Sequence, residues 1–173
     1  ATITADALNS FGLAGKDAGR VADLLAQSAN ATTADINEMA QALKMSSAVA
    51  AQVGMPIEDL TTALGLLANA GIKGSDAGTS VKTMLLRLAA PTDVAAKAMK
   101  KLGFEVFDAH GKMLPMPAII ERWQKATKGL TQEQKLQAMQ TIFGSDAIRA
   151  ASVILGGSVQ SWEKLSKEIQ KSG

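Results

Sequence analysis

The chain offers few residues for catalysis, and it has a single histidine, His110. A Ser-His-Asp triad or a histidine-ligated metal site would have to use this residue. It lies between Asp108 and Gly111 in a predicted turn, where a polar side chain is ordinary. The chain has no cysteine, which excludes thiolate metal sites, disulfides and a cysteine nucleophile. We therefore expect neither a catalytic triad nor a bound metal.

Paired carboxylates could supply the acid and the base of a glycosidase, but the acidic residues have a simpler explanation. Many of them fall in predicted first turns of helices, where they complement the positive end of the helix dipole. These are Asp35, Glu58, Asp59, Asp76, Asp93 and Asp146. Gly15-Lys16 lacks the upstream glycine of a phosphate-binding loop, and no Rossmann or zinc-protease motif is present. The sequence thus predicts no enzyme, no cofactor and no small-molecule substrate.

Two rows of basic residues could contact an anionic partner such as nucleic acid. The first row is Lys97, Lys100 and Lys101, and the second is Arg122, Lys125 and Lys128. Residues 97–128 carry seven Lys or Arg against three Asp or Glu, whereas residues 1–96 carry six against nine. A solvated helix face is the alternative interpretation of both rows. Aromatic residues make up only 3% of the chain, so few rings are available to stack on bases.

Nearly every segment shows the apolar spacing of a helix, and 47% of the residues are hydrophobic. We predict an all-α fold of about eight or nine helices in a single domain over residues 1–173. Because the first residue is alanine and the last predicted helix runs close to the final residue, we expect a fragment of a longer polypeptide. No apolar run approaches the ~20 residues of a membrane span.

The stretch from residue 104 to residue 114 breaks the helical pattern. Two short apolar runs flank Asp108-Ala109-His110-Gly111, which is typical of a β-hairpin with a four-residue turn. An isolated hairpin is only marginally stable in water. We therefore expect this one to pack on the helices, either through Phe104 and Val106 or through Phe107.

A tight junction between two helices is predicted around Gly71 and Gly74, which can end one helix before Ser75-Asp76 begins the next. Inside the second helix Gly78 costs about 1 kcal/mol relative to alanine, so we predict that a neighbouring backbone approaches it closely. Replacing Gly78 with leucine should therefore disrupt packing by steric overlap. The sequence Gly-Ser-Asp-Ala recurs at residues 144–147, which we interpret as one capping solution used twice, with internal duplication as the alternative.

Residues 71–79, Gly-Ile-Lys-Gly-Ser-Asp-Ala-Gly-Thr, resemble a pattern that is characteristic of phage tail tape measure proteins. In that family Gly-Ile-x-Gly-x-x-Ala-Gly-Thr precedes an apolar-basic helix, which here contains Met84, Leu85, Arg87 and Leu88. Further matching segments follow the family order, at residues 53–57, 66–70, 102–108, 111–113 and 143–147. The resemblance extends from about residue 18 to about residue 160. Met55-Pro56 departs from the pattern, because a polar cap is usual there.

The resemblance implies a noncatalytic structural module of the phage tail. Tape measure proteins of this kind are long helical chains that fill the growing tail tube, set its length and leave through the tail tip at infection. The partners it implies are other copies of the chain, the tail tube protein, tail assembly chaperones, tail tip proteins and, during ejection, DNA. The locations it implies are the tail lumen of the virion and, during assembly, the host cytoplasm. A nucleic-acid-contacting module that uses the two basic rows is the alternative function.

Two junctions are expected to carry the structural role. The residues expected to form them are Gly71, Gly74, Ala77, Gly78 and Thr79 at the first, and Phe143 and Gly144 at the second.

Overall fold

The computed structural model describes residues 2–12 and 15–171. Within these residues it contains nine α-helices, one 3₁₀ turn at Gly15–Asp17 and no β-strand. The helices are α1 (Thr2–Ser10), α2 (Ala18–Ala31), α3 (Ile36–Gln52), α4 (Ile57–Asn69), α5 (Gly74–Ala89), α6 (Asp93–Leu102), α7 (Met116–Thr127), α8 (Gln132–Leu155) and α9 (Val159–Ile169). The predicted all-α class and the predicted number of helices are confirmed.

Two of the helices begin with a capping box. In this arrangement two residues three positions apart each accept the other's backbone N–H with a side-chain oxygen. At α3 the Glu38 N–H donates to Asp35 Oδ1 (2.7 Å), and the Asp35 N–H donates to Glu38 Oε1 (3.0 Å). At α8 Thr131 and Gln134 form the same arrangement. Each box satisfies backbone donors that a helix start leaves free, so these sequences define where the two helices begin.

Helix α5 lies in the middle of the fold and packs against α3 and against α8. Helix α4 contacts α3 and α9, helices α6 and α7 contact α8, and helices α1 and α2 contact α3. A single cluster of buried side chains connects these contacts, from Val21 in α2 to Ile169 in α9. Much of it is aliphatic, with Leu85 and Leu88 of α5 fully buried, as expected for a chain with few aromatic residues.

Three aromatic side chains join the loop between α6 and α7 to the helices. The ring of Trp123 in α7 meets Phe104 of this loop edge to face, with centroids 5.2 Å apart, and meets Phe143 of α8 at 6.4 Å. Such edge-to-face contacts are favourable beyond the area they bury. Val106 is also buried, so this loop packs on the helices through Phe104 and Val106.

The predicted β-hairpin in this loop is wrong. Phe107 and Met113 form one isolated antiparallel bridge, and no strand is present between α6 and α7. Asp108 Oδ1 accepts the N–H of His110 (2.8 Å) and the N–H of Lys112 (3.0 Å). These side-chain bonds occupy backbone donors around the turn, and bonding of this kind competes with a strand ladder. The loop is therefore held by a side chain and one bridge.

Candidate functional site

The connection between α4 and α5 is built on two glycines with left-handed backbones. At Gly71 (φ +89°) the N–H donates to the carbonyl of Ala68, and the Ile72 N–H donates to the carbonyl of Leu67, both at 2.9 Å. This pair of bonds closes the last turn of α4, where the regular helical bonding ends. Gly74 (φ +64°) is the first residue of α5. Both positions favour glycine because a side chain is strained in this region.

Helix α5 begins one residue earlier than predicted. Its N-cap residue is Lys73, whose side chain makes no capping hydrogen bond, and Ser75 and Asp76 lie inside the first turn. Lys73 Nζ instead donates to the carbonyl of Thr33 (3.1 Å), in the loop that precedes α3. Asp76 is therefore not the N-cap residue of α5, and its carboxylate can contact another helix.

Gly78 lies where α5 contacts α3. A Cβ added at this residue would lie 2.3 Å from the carbonyl oxygen of Ala42 and 2.8 Å from Met45 Cβ. The first of these contacts is with backbone, so it can be relieved only by moving one helix away from the other. The neighbouring Ala77 is buried and Thr79 is half-buried. The separation of α5 and α3 is thus one that only glycine permits at this point.

Three polar side chains connect the other face of α5 to α8. At about 100° per residue, Asp76, Ser80 and Arg87 lie roughly 160–200° around the helix from Gly78. Ser80 Oγ donates to the carbonyl of Asp146 (3.1 Å) and accepts the N–H of Ala150 (3.2 Å). The face of α5 opposite α3 is therefore bonded directly to the backbone of α8.

Arg87 lies against a break in α8. Gly144 has φ +73° and ψ 179°, a backbone conformation that is essentially restricted to glycine. A break of this kind removes the helical partners of the carbonyls that precede it. Arg87 Nε donates to the carbonyl of Ile142 (2.9 Å), and its Nη2 donates to the carbonyl of Thr141 (3.3 Å). Phe143, which directly precedes the break, is buried.

Asp76 and Arg149 form a two-point ion pair between α5 and the second half of α8. Arg149 Nη1 lies 2.9 Å from Asp76 Oδ2, and its Nη2 donates to Asp76 Oδ1. The hydrogen bonding from Arg149, together with its positive charge, lowers the pKa of Asp76. About half of each side chain is exposed, so solvent screens the pair and its contribution to stability is small.

The helical segments that follow the two Gly-Ser-Asp-Ala glycines pack against each other. Each follows the same local rule, since Gly74 and Gly144 both have positive φ and both precede a helical segment. Ser80 and Ala150 are each the sixth residue after their glycine, and a hydrogen bond joins them. The two segments therefore meet in one contact between α5 and α8, made by residues other than the predicted junction glycines.

The two basic rows lie on the surface of α6 and α7, and all six side chains are exposed. Part of the second row is engaged within the molecule. Arg122 Nη1 donates to the carbonyl of Glu105 (3.4 Å), and Lys125 Nζ lies 3.2 Å from a carboxylate oxygen of Glu121. Arg122 and Lys125 also border a depression at the end of α6, beside Leu102. No feature of these rows favours nucleic acid over water.

The described residues contain no group of metal ligands and no single membrane-spanning helix. His110 is exposed in the loop between α6 and α7. Within residues 2–12 and 15–171, no three His, Cys, Asp or Glu side chains lie close enough together to hold a metal ion. Over the same ranges no single helix is long and apolar enough to cross a membrane, and α8 with α9 meets that test only as a pair bent by 88°.

Comparison with known proteins identifies the family. A family model described as phage-related minor tail protein matches residues 1–144. The chain belongs to the phage-related minor tail protein family. This tail protein is also 36% identical over 168 residues to the tape measure protein of Pneumococcus phage Dp-1, an alignment that covers 97% of the chain and 15% of that relative.

A second relative is the probable tape measure protein of Escherichia phage P2, which is 34% identical over 167 residues. This alignment covers 95% of the chain and 20% of the relative, so the chain spans a fifth or less of the length of both proteins. No solved structure matches this tail protein. The resemblance to tape measure proteins that the sequence motifs predicted is confirmed.

Sequence reasoning missed the polar contacts between α5 and α8. The sequence predicts Asp76 only as part of a helix start, and it assigns no contact to Ser80 or Arg149. A signal was present, because Asp76, Ser80 and Arg87 form a polar stripe on one face of a helix whose other positions are largely apolar. The partners of that stripe could not be named, since they are backbone groups and an arginine of a distant helix, α8.

Gly78→Ala should destabilise this tail protein by about 1–3 kcal/mol, because the new Cβ would force α5 and α3 apart. The matched control is Gly19→Ala in α2, where an added Cβ meets nothing within 4 Å. Alanine should be neutral or favourable there, by up to about 1 kcal/mol. In thermal unfolding followed by circular dichroism, Gly78→Ala should melt several degrees below Gly19→Ala. Equal melting temperatures would contradict the close approach.

Arg87→Lys should also lower the free energy of unfolding, by about 1–3 kcal/mol, because an ammonium lacks the planar fork that bonds two carbonyls. Arg122→Lys is the control, since its one hydrogen bond is long and exposed. We expect the control to change stability by less than about 0.5 kcal/mol. Urea unfolding measures both variants, and equal midpoints would show that Arg87 does not stabilise the break.

The Asp76–Arg149 pair should make a small part of the stability depend on pH. Because the pKa of Asp76 is lower in the folded chain, the pair stabilises above the ordinary value of 3.8, and this contribution is lost as the pH falls through the folded-state pKa. Asp76→Asn should therefore lower the melting temperature at neutral pH and have little effect near pH ~2. Asp93→Asn, in the first turn of α6, controls for the helix dipole. If the melting temperatures of the two variants still differ near pH ~2, the stabilisation does not come from an ionised Asp76.

Proposed function

We propose that this chain is a noncatalytic structural module of a phage or prophage tail tape measure protein. In this proposal it acts in tail assembly, in the determination of tail length and in the ejection of DNA into the host. The observation that carries the proposal is the similarity to two proteins named as tape measure proteins over 95% or more of the chain. The exposed position of His110 in a loop is consistent with a role that requires no catalysis.

The proposed module is one helical domain, residues 1–173, within a longer polypeptide. Support comes from the single buried cluster, which includes Ala7 of α1 as well as Ile169 of α9. Further support comes from the relatives, in which the matching region makes up 15% and 20% of the length. A domain that accounts for so small a share cannot supply the whole ruler, so the remainder of the polypeptide would set most of the tail length.

The proposed partners are other copies of the tape measure chain, the tail tube protein, tail assembly chaperones and tail tip proteins. The proposed locations are the tail lumen of the virion and, before that, the cytoplasm of the infected bacterium during assembly. During ejection the chain would leave the tube with or ahead of the DNA. Contacts between helices would carry these interactions, because most of the described residues lie in helices.

The length of the tail provides a direct test of this role. The chain could lie in the tube either as one extended helix or as a compact domain, and these two forms differ greatly in length. As one continuous helix, 173 residues would span about 260 Å at about 1.5 Å per residue. As a compact domain they would have a radius of gyration of about 16 Å. A segment that lies extended in the lumen therefore adds far more to a ruler than a segment that stays folded.

In the phage that encodes this chain, deleting the segment from the tape measure gene should shorten the tails, and duplicating it should lengthen them. Electron microscopy of purified particles measures both changes. A change near 260 Å would indicate an extended segment, whereas a change of a few tens of Å would indicate a folded one. Unchanged tail lengths with both the deletion and the duplication would refute a role in length determination.

A further inference from the structure

A groove on the surface lies between the ends of α3 and α5 and the loop that precedes α7. We name it the Met113 groove. It has two compartments, of about 620 Å³ and about 200 Å³, which share Val53, Gly54 and Met113. It is distinct from the contacts of α5 with α3 and α8, because its walls are the helix ends and the loop. The hydrogen bonds that join α5 to α8 lie outside this groove.

The larger compartment is an apolar surface that the fold leaves open. Leu86 of α5 is 41% exposed and Phe107 of the loop is 39% exposed, whereas Leu85 and Leu88 are fully buried. Leu86 and Phe107 both line this compartment, together with Ala89 at the end of α5. Exposed large apolar side chains that converge on one groove are characteristic of a binding surface rather than of an ordinary solvated face.

The smaller compartment places a carboxylate among apolar side chains. Asp59, in the first turn of α4, lines it together with Met55, Pro56, Leu114 and Met116. Asp59 is half-buried, and its burial raises the pKa of its carboxyl group, with a further contribution from the neighbouring charge of Glu58. An ionised carboxylate in such surroundings is partly dehydrated, and a cation or a hydrogen-bond donor from a partner would compensate for that loss.

No partner within the described chain supplies that cation. The ion pairs of residues 2–12 and 15–171 involve other carboxylates, and Asp59 takes part in none of them. The neighbouring carboxylate, Glu58, is paired with Arg20 of α2, and the distance from Glu58 Oε1 to Arg20 Nη2 is 3.4 Å. Lys112 lines the other compartment. The smaller compartment is therefore complementary in charge to a cation from outside the chain.

We propose that the Met113 groove binds a segment of a partner protein that carries a lysine or an arginine beside a large apolar side chain. The cation would pair with Asp59 while its aliphatic stem lies on Pro56 and Met113, which line the same compartment and are not buried. The apolar side chain would lie between Leu86 and Phe107. Methionine side chains are flexible and polarisable, so the walls can adjust to the shape of the segment. The proposal goes beyond a role in tail length, because it names a binding surface and the chemistry of its partner.

The probe is a 14-residue acetylated peptide of leucine and lysine at helical spacing, and its control has glutamate in place of lysine. Binding to the 173-residue chain is followed by NMR of ¹³C-labelled methionine methyl groups. We expect the lysine peptide to shift the methyl signals of Met55, Met113 and Met116, and to leave that of Met139 in α8 unchanged. The glutamate peptide should shift none of them. Shifts at all four methionines, or equal binding of the two peptides, would overturn the proposal.

Two substitutions test the two contacts separately. Asp59→Asn should weaken binding of the lysine peptide by about fivefold or more, whereas Asp93→Asn, which removes an exposed first-turn carboxylate elsewhere, should not. Phe107→Ser should lower the affinity for the lysine peptide, because it removes the apolar contact. The control is Val94→Ser, which replaces an exposed apolar side chain on α6 and should leave the affinity unchanged. Equal affinities for Asp59→Asn and Asp93→Asn would contradict the charge contact, provided that both variants unfold at the parental temperature.

Other occupants give different results in the same experiment. Concentration-dependent broadening of the three groove methyl signals without peptide would mean that a second copy of the chain covers the groove. Displacement of the peptide by dodecyl maltoside, with no effect of Asp59→Asn, would mean a site for small apolar molecules. Either result would overturn the proposal. Neither bears on tail length, so failure here and failure of the proposed function are distinguishable.

Discussion

The close approach of α5 to α3 at Gly78 is the constraint on which the rest of the fold depends. The backbone of Ala42 occupies the space that a side chain at residue 78 would need, so the two helices are held at one separation. The opposite face of α5 is thereby presented to α8, where Ser80 and Arg87 bond to backbone carbonyls. One glycine contact on one side and polar contacts on the other thus place the central helix between its two neighbours.

The break in α8 follows from the same arrangement. Apolar residues of α8 such as Met139, Phe143 and Ala147 keep helical spacing through the break, so the apolar pattern alone would allow a straight helix. Gly144 permits the unusual backbone angles, and Arg87 bonds the carbonyls that the break leaves free. In our proposal this compact arrangement is the folded form of a segment whose extended form would be several times longer.

Local rules of sequence predicted the all-α class and the number of helices. The Thr131–Gln134 box and the left-handed glycine at residue 71 define helix ends through nearest-neighbour chemistry, which is legible without a structure. The prediction of a β-hairpin was wrong because the side chain of Asp108 accepts the backbone N–H groups of His110 and Lys112. The Met113 groove could not be predicted, since Asp59 resembles any first-turn carboxylate until distant segments enclose it. Long-range packing decides such features, and single-sequence patterns do not encode it.

Native-state hydrogen exchange tests most directly whether α5 is the central element. The slowest amides in a protein exchange only through global unfolding, whereas amides in weakly held elements exchange through local opening. If the contacts with α3 and α8 hold α5 in place, the amides of Val81 and Leu85 should be among the slowest in the chain, with a free energy of exchange equal to that of global unfolding. Exchange of these amides faster than those of α6 or α7 would contradict the central position of α5.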